Sequence, residues 1–481
     1  MGYKFKPESM HWLQFRGPDA SGIAPEKSIP PIHFNADTNL LWETEMLPGW
    51  SSPCIVNDKI FLTGFDDSDS LLYTLAINRE NGEILWKNSA KPDNYYSLHP
   101  INTYANPTVA SDGERIFASF PNYGLIAYDL NGGKLWESRH QGISHSMKGS
   151  VSPLVLDSMI IMHIVFPGDP RIVSFSCQTG DSIWTIRADE HPWASLDGCA
   201  TPVIFKDLLI LHLFQTIVAY KLSDGSAEWW LYTPTVGIGT PVIKESMLYL
   251  NTWTQGGEKK NTGKQMSFTE VLKECDMNAN RRIEKDEFKD DMMVFHRPET
   301  PDAPGSALYY KDDAFFAYFD SNKDGAIGDG EWEVMLKIVE PYLGEHGMLA
   351  LPVQGSGERS VLDIKWKVNQ DSPETPSPLV VDENIFFIKN GGIMTVINRE
   401  SGEVIHKERI GASGTYLSSP LLAGNRVYIC SYNGTVTVLS ADDYSVLAHN
   451  KLRGKIGASP VAVDDVLYIR TDKHLYAFRE I

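Results

Sequence analysis

The sequence predicts an all-β chain, an eight-bladed β-propeller of four-stranded antiparallel blades with a small α-helical pair inserted in the fifth blade. Three observations predict it. A small residue, a proline and an apolar strand recur eight times, as Ser52-Pro53, Asn106-Pro107, Ser152-Pro153, Thr201-Pro202, Thr240-Pro241, Ser377-Pro378, Ser419-Pro420 and Ser459-Pro460. The prolines stand 54, 46, 49 and 39 residues apart, then 137, then 42 and 40. A period of roughly 40–50 residues is the length of one blade, too long for leucine-rich or helical-hairpin repeats. The interval of 137 must hold something more.

Within a unit, the proline step leads into a run such as Leu154-Val155-Leu156 and a polar turn such as Asn57-Asp58. A second apolar stretch (59–63 in the first unit) and a third (72–77) follow. A glycine turn with tryptophan four residues on then closes the unit, as Gly82 and Trp86, Gly132 and Trp136, Gly180 and Trp184, Gly225 and Trp229. That order is a four-stranded meander. One blade cannot cover both of its own faces, so blades stack radially, with the proline-step strands at the axis and the tryptophan strands at the rim. Tryptophans recurring at one phase are expected to pack between neighbouring blades rather than to stack a ligand. His406 and His449 take their place in the last two full units and are read as packing residues too. The chain opens with a lone tryptophan strand, 40–44, and its last unit ends on its third strand, 474–478. Strand 40–44 is therefore expected to complete the eighth blade and remove an open edge.

From Pro241 to the next rim tryptophan, Trp366, is 125 residues, where intact units take 27 to 33. The propeller is accordingly assigned to 1–253 and 357–481, and an inserted domain to 254–356. Inside the insert, the twelve residues from Asp320 to Glu331 have the spacing of a calcium loop. Asp320, Asn322 and Asp324 offer side-chain oxygens, Ala326 its carbonyl, Gly328 room for a water and Glu331 a bidentate carboxylate, while Gly325 permits the sharp turn. The twelve residues from Asp276 to Glu287 repeat the pattern with Asp276, Asn278, Asn280, the Arg282 carbonyl, Glu284 and Glu287. Arg281 stands there in place of the turn glycine, so the first loop is expected to bind Ca2+ more weakly than the second. Ile283 and Ile327 are placed to pair the two loops. Residues 254–350 hold 20 acidic and 12 basic side chains, a charge that bound cations would relieve.

Composition bounds the function classes. A formal charge of −19 repels phosphate backbones and anionic lipid, which argues against nucleic acid as a partner. Five scattered cysteines, with no adjacent pair and no Cys-x-x-Cys, give neither a disulfide framework nor a zinc knuckle. The longest apolar runs, such as 208–214, are strand-length, so no transmembrane segment is expected. Residues 1–12 lack an apolar signal core, so the chain is either cytoplasmic or preceded by a signal that has been removed.

The repeating units resemble those of the pyrroloquinoline quinone enzymes and of the related propellers that bind no quinone, including the outer-membrane assembly lipoprotein. Trp12-Leu13-Gln14-Phe15-Arg16-Gly17-Pro18, with Gly22 after it, resembles the opening signature of a bacterial branch of those propellers, many of them exported. The two acidic loops resemble paired EF-hands. The resemblance implies a periplasmic or extracellular location and, in the quinone enzymes, a cofactor beneath an adjacent-cysteine ring with calcium held by Glu and Asn beside a catalytic Asp. This chain has no adjacent cysteines and no Glu, Asn and Asp that align to that set, which sets PQQ aside as the expected cofactor. Residues just upstream of the proline steps are expected around the mouth of the central channel: Trp50, His99, Tyr104, Lys148, Trp193, Glu374, Tyr416 and Lys455 as ligand contacts. His145, His191 and Asp197 are the candidates for acid–base work there. The expected function is a calcium-binding exported propeller that binds a protein or glycan ligand at the channel mouth. A carbohydrate-active enzyme using the same His, Asp and Trp residues is the second reading, and a quinone-dependent dehydrogenase a distant third.

Overall fold

The computed structural model describes residues 11–481 apart from 18, 97, 140–150, 166–168, 189–195, 234, 255, 259–260, 299–305 and 340–345. Eight antiparallel sheets of four main strands carry the chain. The first blade runs Cys54–Val56, Lys59–Asp66, Leu71–Asn78, Ile84–Ala90, and the others repeat that order. Burial falls from axis to rim as the radial stacking requires: the inner strand Cys54–Val56 is wholly buried, whereas the rim strand Ile84–Ala90 alternates exposed and half-buried residues. Leu40–Glu45 pairs with His474–Phe478 and completes the eighth blade, as expected.

The rim tryptophans pack between blades. Five of the indoles lie on the turn glycine of the next blade and donate Nε1–H to a carbonyl there: Trp42 to Arg79 at 3.1 Å, Trp86 to Leu130 at 3.3 Å, Trp136 to Cys177 at 3.0 Å, Trp184 to Leu222 at 3.0 Å and Trp366 to Arg399 at 3.0 Å. Trp229, facing the fifth blade, is instead buried against Leu248 and Leu349 with no hydrogen bond at Nε1. The glycine is required by that approach. A Cβ on Gly180 would stand 2.6 Å from the ring of Trp136, and its φ of +76° disfavours any side chain. His406 stacks at 5.1 Å on Tyr444 of the seventh blade, a packing role.

Two sequence assignments need correction. The fifth blade resumes at Gly347–Pro352, which pairs along its whole length with Met247–Thr252 and carries Trp366–Val368 outside it. That third strand lies inside the range read as insert. It has no glycine-to-tryptophan spacing to announce it, because residues 353–365 form a long link in place of the usual tight turn. Part of that link, Gly357–Arg359, adds a parallel strand to the rim of the fourth blade. In the second blade Asn106-Pro107 is not the repeat step. The inner strand there is Ala110–Ser111, and Thr108 occupies the position that Ser52 holds in the first blade.

Between the second and third strands of the fifth blade lies a small helical unit with its own core, in which Phe288, Tyr310 and Trp332 stack at 5.4–6.2 Å. Helix α1 (Phe268–Cys275) begins at a reciprocal cap between Ser267 and Glu270. Helices α2 (Asp313–Phe319) and α3 (Asp329–Val339) flank the second acidic loop, whereas the first is followed only by a single turn, Lys285–Glu287. The loops meet through a two-residue antiparallel bridge, Ile283 with Ile327 and Glu284 with Ala326.

Candidate functional site

The residue two positions before each inner strand is a hydroxyl in all eight blades: Ser52, Thr108, Ser152, Thr201, Thr240, Ser377, Ser419 and Ser459. Seven bonds from the backbone N–H of one to the Oγ of the next blade's hydroxyl run around the axis at 2.9–3.3 Å among the described residues. Ser459 to Ser52 is the joint that closes the ring. A serine or threonine at this step satisfies a buried amide that no strand partner reaches, and so ties each blade to its neighbour.

The N-terminal segment seals one end of the channel. It visits the blades in turn. Trp12 pairs with Ile55, Ser111 N–H donates to the Leu13 carbonyl at 2.8 Å, and Val155 N–H donates to Gln14 Oε1 at 3.3 Å. Ala20 packs in the core shared by the fourth and fifth blades, and Ala24 N–H donates to the Leu422 carbonyl in the seventh at 2.8 Å. Arg16 is buried and its Nη2 donates to the carbonyls of Ser21 at 2.6 Å and Pro378 at 2.7 Å, with Nε to Ala20 at 3.0 Å. Burial pulls its guanidinium pKa down to about 9, a cost only partly offset by Asp19. The opening signature is thus a structural plug.

Above the plug lies a blind cup of about 460 Å³, with the hydroxyl ring in its wall and Phe15 among its lining residues. Trp50, Trp253 and Phe214 supply aromatic surface. Trp50 is held by Nε1–H donation to the Ile101 carbonyl at 2.7 Å and lies on Gly457, whose absent Cβ would be 2.6 Å from the indole. Polar groups come from Asn102, Asn106 and Asn390. The charged pair is Arg297 with Glu374, at 3.2 Å, and Asn390 Nδ2 donates to the same Glu374 oxygen at 3.2 Å. Arg297 belongs to the inserted segment, so the insert forms part of the cup wall. A buried ion pair, Lys389 with Glu258 at 2.6 Å, anchors the insert's first residues to the sixth blade. His346 is buried at the insert's far end, and burial, with help from Lys389, lowers its pKa to about 4.

Three of the expected mouth residues line the cup: Trp50, His99 and Glu374. The structure does not bring the others to it. Tyr416 is buried, with its hydroxyl donating to the Ala412 carbonyl at 2.7 Å, and burial pushes that hydroxyl's pKa up. Tyr104 packs against Phe65 at 4.9 Å and Tyr95 at 5.6 Å in an aromatic cluster behind the loop 99–106. Lys455 lies over the ring of Tyr432 at 5.4 Å, with Tyr432 edge-on to Trp50, so it stands one layer behind the lining. Asp197 accepts from Phe214 N–H at its backbone carbonyl, 2.7 Å, and is not part of the lining. His145, Lys148, His191 and Trp193 lie outside the described residues. Sequence reasoning missed Phe15, Phe214, Trp253, Asn390 and Arg297. The hydroxyl before proline was visible in most units as a signal for the ring; Arg297 carried none.

In the second acidic loop, Asp320 accepts the amides of Asp324 and Gly325, both at 3.0 Å, and Glu331 accepts those of Ser321 and Gly328, both at 2.9 Å. Gly325 takes φ +86° with open space where a Cβ would stand. The first loop repeats the arrangement. Asp276 accepts Asn280 and Arg281 amides at 3.1 and 2.9 Å, Glu287 accepts Met277 at 2.9 Å, and Arg281 adopts φ +63° in place of glycine. Among the described residues, no three His, Cys, Asp or Glu side chains are gathered as a metal cluster. The five cysteines are free thiols, and no described helix is long and apolar enough to cross a membrane.

Comparison with known proteins places this geometry. Residues 68–249 and 356–481 match the family described as outer membrane protein assembly factor BamB. A relative of that name from Burkholderia pseudomallei (strain K96243) is 24% identical over 180 residues, which are 37% of this chain and 41% of that protein. The match therefore spans less than half of the relative. BamB from Moraxella catarrhalis superposes with a TM-score of 0.53 at 12% identity, over 91% of this chain and 98% of that one. A europium-containing methanol dehydrogenase gives 0.53 at 12% identity over 97% and 89%, and the computationally designed Ika8 protein 0.56 at 8% over 92% and 99%. Similarity at those identities is similarity of fold. With well over half of its residues inside the family's match and the eight-bladed architecture in common, the chain belongs to the BamB family of PQQ-like propellers.

Proposed function

We propose that this chain is an extracytoplasmic binding propeller that holds a glycan in the axial cup. One observation carries the reading: the rings of Trp50, Trp253, Phe15 and Phe214 line a blind cup of about 460 Å³ together with Asn102, Asn106 and Asn390. Aromatic faces with amide donors and acceptors suit the apolar faces and hydroxyls of sugar rings, and the volume is that of a small-molecule site. A folded partner does not fit such a cup, though a loop tip from a protein does, and family membership keeps that ligand in view. Of the acid–base candidates for a carbohydrate-active enzyme, Asp197 stands outside the lining, and His145 and His191 lie outside the described residues. A quinone bearing several carboxylates finds one guanidinium in the described lining, Arg297, already paired with Glu374. We therefore derive no redox step. Titration calorimetry of the full chain against neutral oligosaccharides and against extended peptides tests the proposal. Saturable oligosaccharide binding, weakened about tenfold or more by Trp50→Ala and by Trp253→Ala and unchanged by Lys455→Ala, is expected. Binding indifferent to both tryptophans, or confined to peptides, overturns it.

The paired acidic loops are proposed as Ca2+ sites. Their backbone already turns as a calcium loop requires, with carboxylates facing inward onto the amides of the loop. Asp320, Asn322, Asp324, the Ala326 carbonyl and Glu331 would hold the ion in the second loop. Asp276, Asn278, Asn280, the Arg282 carbonyl, Glu284 and Glu287 would do so in the first. Five of these eleven donors are amide or carbonyl oxygens, ligands that Ca2+ takes beside carboxylates. Bound ions would relieve the acidic charge of the insert and stiffen the wall that carries Arg297. Calcium titration, with Glu287→Gln and Glu331→Gln each removing one event, is the check; heat absent from every titration refutes it.

A further inference from the structure

Arg282 is the seventh residue of the first loop, where its expected contribution is a backbone carbonyl. Its side chain goes elsewhere. The bridge of Ile283 with Ile327 sets the loops back to back, and Arg282 leaves the seam toward the second loop. Its Nη2 lies 2.6 Å from Asp324 Oδ2, donates to the Ala326 carbonyl at 3.2 Å and stands 3.9 Å from Glu331 Oε2. Those three groups are three of the five that the second loop would offer a cation. In the first loop, by contrast, no lysine or arginine side chain pairs with Asp276, Glu284 or Glu287 among the described residues; its carboxylates take only amide and asparagine donors.

We propose that Arg282 is a tethered cation that competes with calcium for the second loop. The inference rests on the calcium reading above and specifies how that site is regulated. A calcium ion binds oxygens at about 2.3–2.6 Å and fills its shell with them. It cannot share Asp324 and the Ala326 carbonyl with a guanidinium already bonded to both. The competitor is attached one residue from the bridge, so its local concentration is high and independent of dilution. The second loop, the tighter site by sequence because it keeps the turn glycine Gly325, is therefore the later site to fill, and the first loop fills ahead of it. Because the Arg282 carbonyl serves the first loop while its side chain occupies the second, one residue ties the two sites together.

Calorimetric titration of the full chain with CaCl2 tests this, using wild type, Arg282→Met, and Arg282→Met combined with Glu331→Gln. Methionine keeps the stem and the carbonyl while removing the charge. Arg282→Met is expected to tighten one of two binding events about tenfold and to leave the other within about twofold, and Glu331→Gln should abolish the tightened event. Arg282→Lys, a shorter point charge, serves as a second variant and should fall between wild type and methionine. Two events whose affinities are the same in all Arg282 variants overturn the tethered competitor while leaving the calcium sites standing. Absence of any calcium heat in wild type and every variant overturns both.

Discussion

Truncation of Trp136 to alanine tests the packing rule on which the ring is built. The indole belongs to the rim strand Lys134–Arg139 of the second blade, and its partners belong to the third: the bare backbone of Gly180 beneath its face and the Cys177 carbonyl 3.0 Å from Nε1. Phe117, at 5.9 Å, backs it from its own blade. Alanine removes the ring, opens a gap between two blades and leaves a carbonyl without its donor. A wholly buried tryptophan costs about 3–5 kcal/mol on such truncation. Trp136 is half-buried, so the lower end applies, about 3 kcal/mol, of which roughly 1 kcal/mol is the hydrogen bond. Trp136→Phe, which keeps most of the ring but not the N–H, should lose only the smaller share. Urea denaturation reads the effect as a lower midpoint at an unchanged slope. A loss under about 1 kcal/mol for alanine, or equal losses for alanine and phenylalanine, would refute the inter-blade role.

The axial ring makes its own prediction. Ser419→Ala removes the acceptor of the buried Ser377 amide, 3.0 Å away, and should cost about 1–3 kcal/mol by denaturation, while Ser419→Thr, the residue used at Thr201 and Thr240, should restore it. His212 is buried in the fourth blade with neither ring nitrogen hydrogen-bonded, and burial lowers its pKa to about 3. Below its unfolded pKa of about 6.5 the unfolded chain takes up a proton that the folded chain refuses, so this contribution is intact above that pH and is lost as pH falls toward 3. His212→Leu should flatten that part of the acid limb, seen by comparing urea midpoints at about pH 7.5 and about pH 4.5, with little change at the higher pH. An unaltered pH dependence in the variant would show that another group drives the acid loss.

The sequence by itself determined the eight blades, their strand order, the tryptophan-on-glycine joints and the closure by Leu40–Glu45. Each of these is a local pattern, repeated at fixed spacing, that a single blade must display to bury its faces. It also marked the two acidic loops, since their ligands lie within twelve residues of one another. Tertiary structure decided what depends on contacts between distant segments. The strand Gly347–Pro352 found its blade through pairing with Met247–Thr252, a partner separated from it by the whole helical unit. Residues 11–24, legible only as a family signature, proved to be a plug because their hydrogen bonds go to one blade after another around the axis. The cup draws Phe15, Trp50, Trp253, Arg297 and Glu374 from five separate stretches, and no spacing rule links them. Tyr416 and Tyr104 sit at the right place in the repeat yet turn into the core, because a side chain's direction at a strand end is set by what packs beside it. Arg282 shows the same limit within a motif: its position assigned the carbonyl, and only the pairing of the two loops sent its guanidinium across to Asp324.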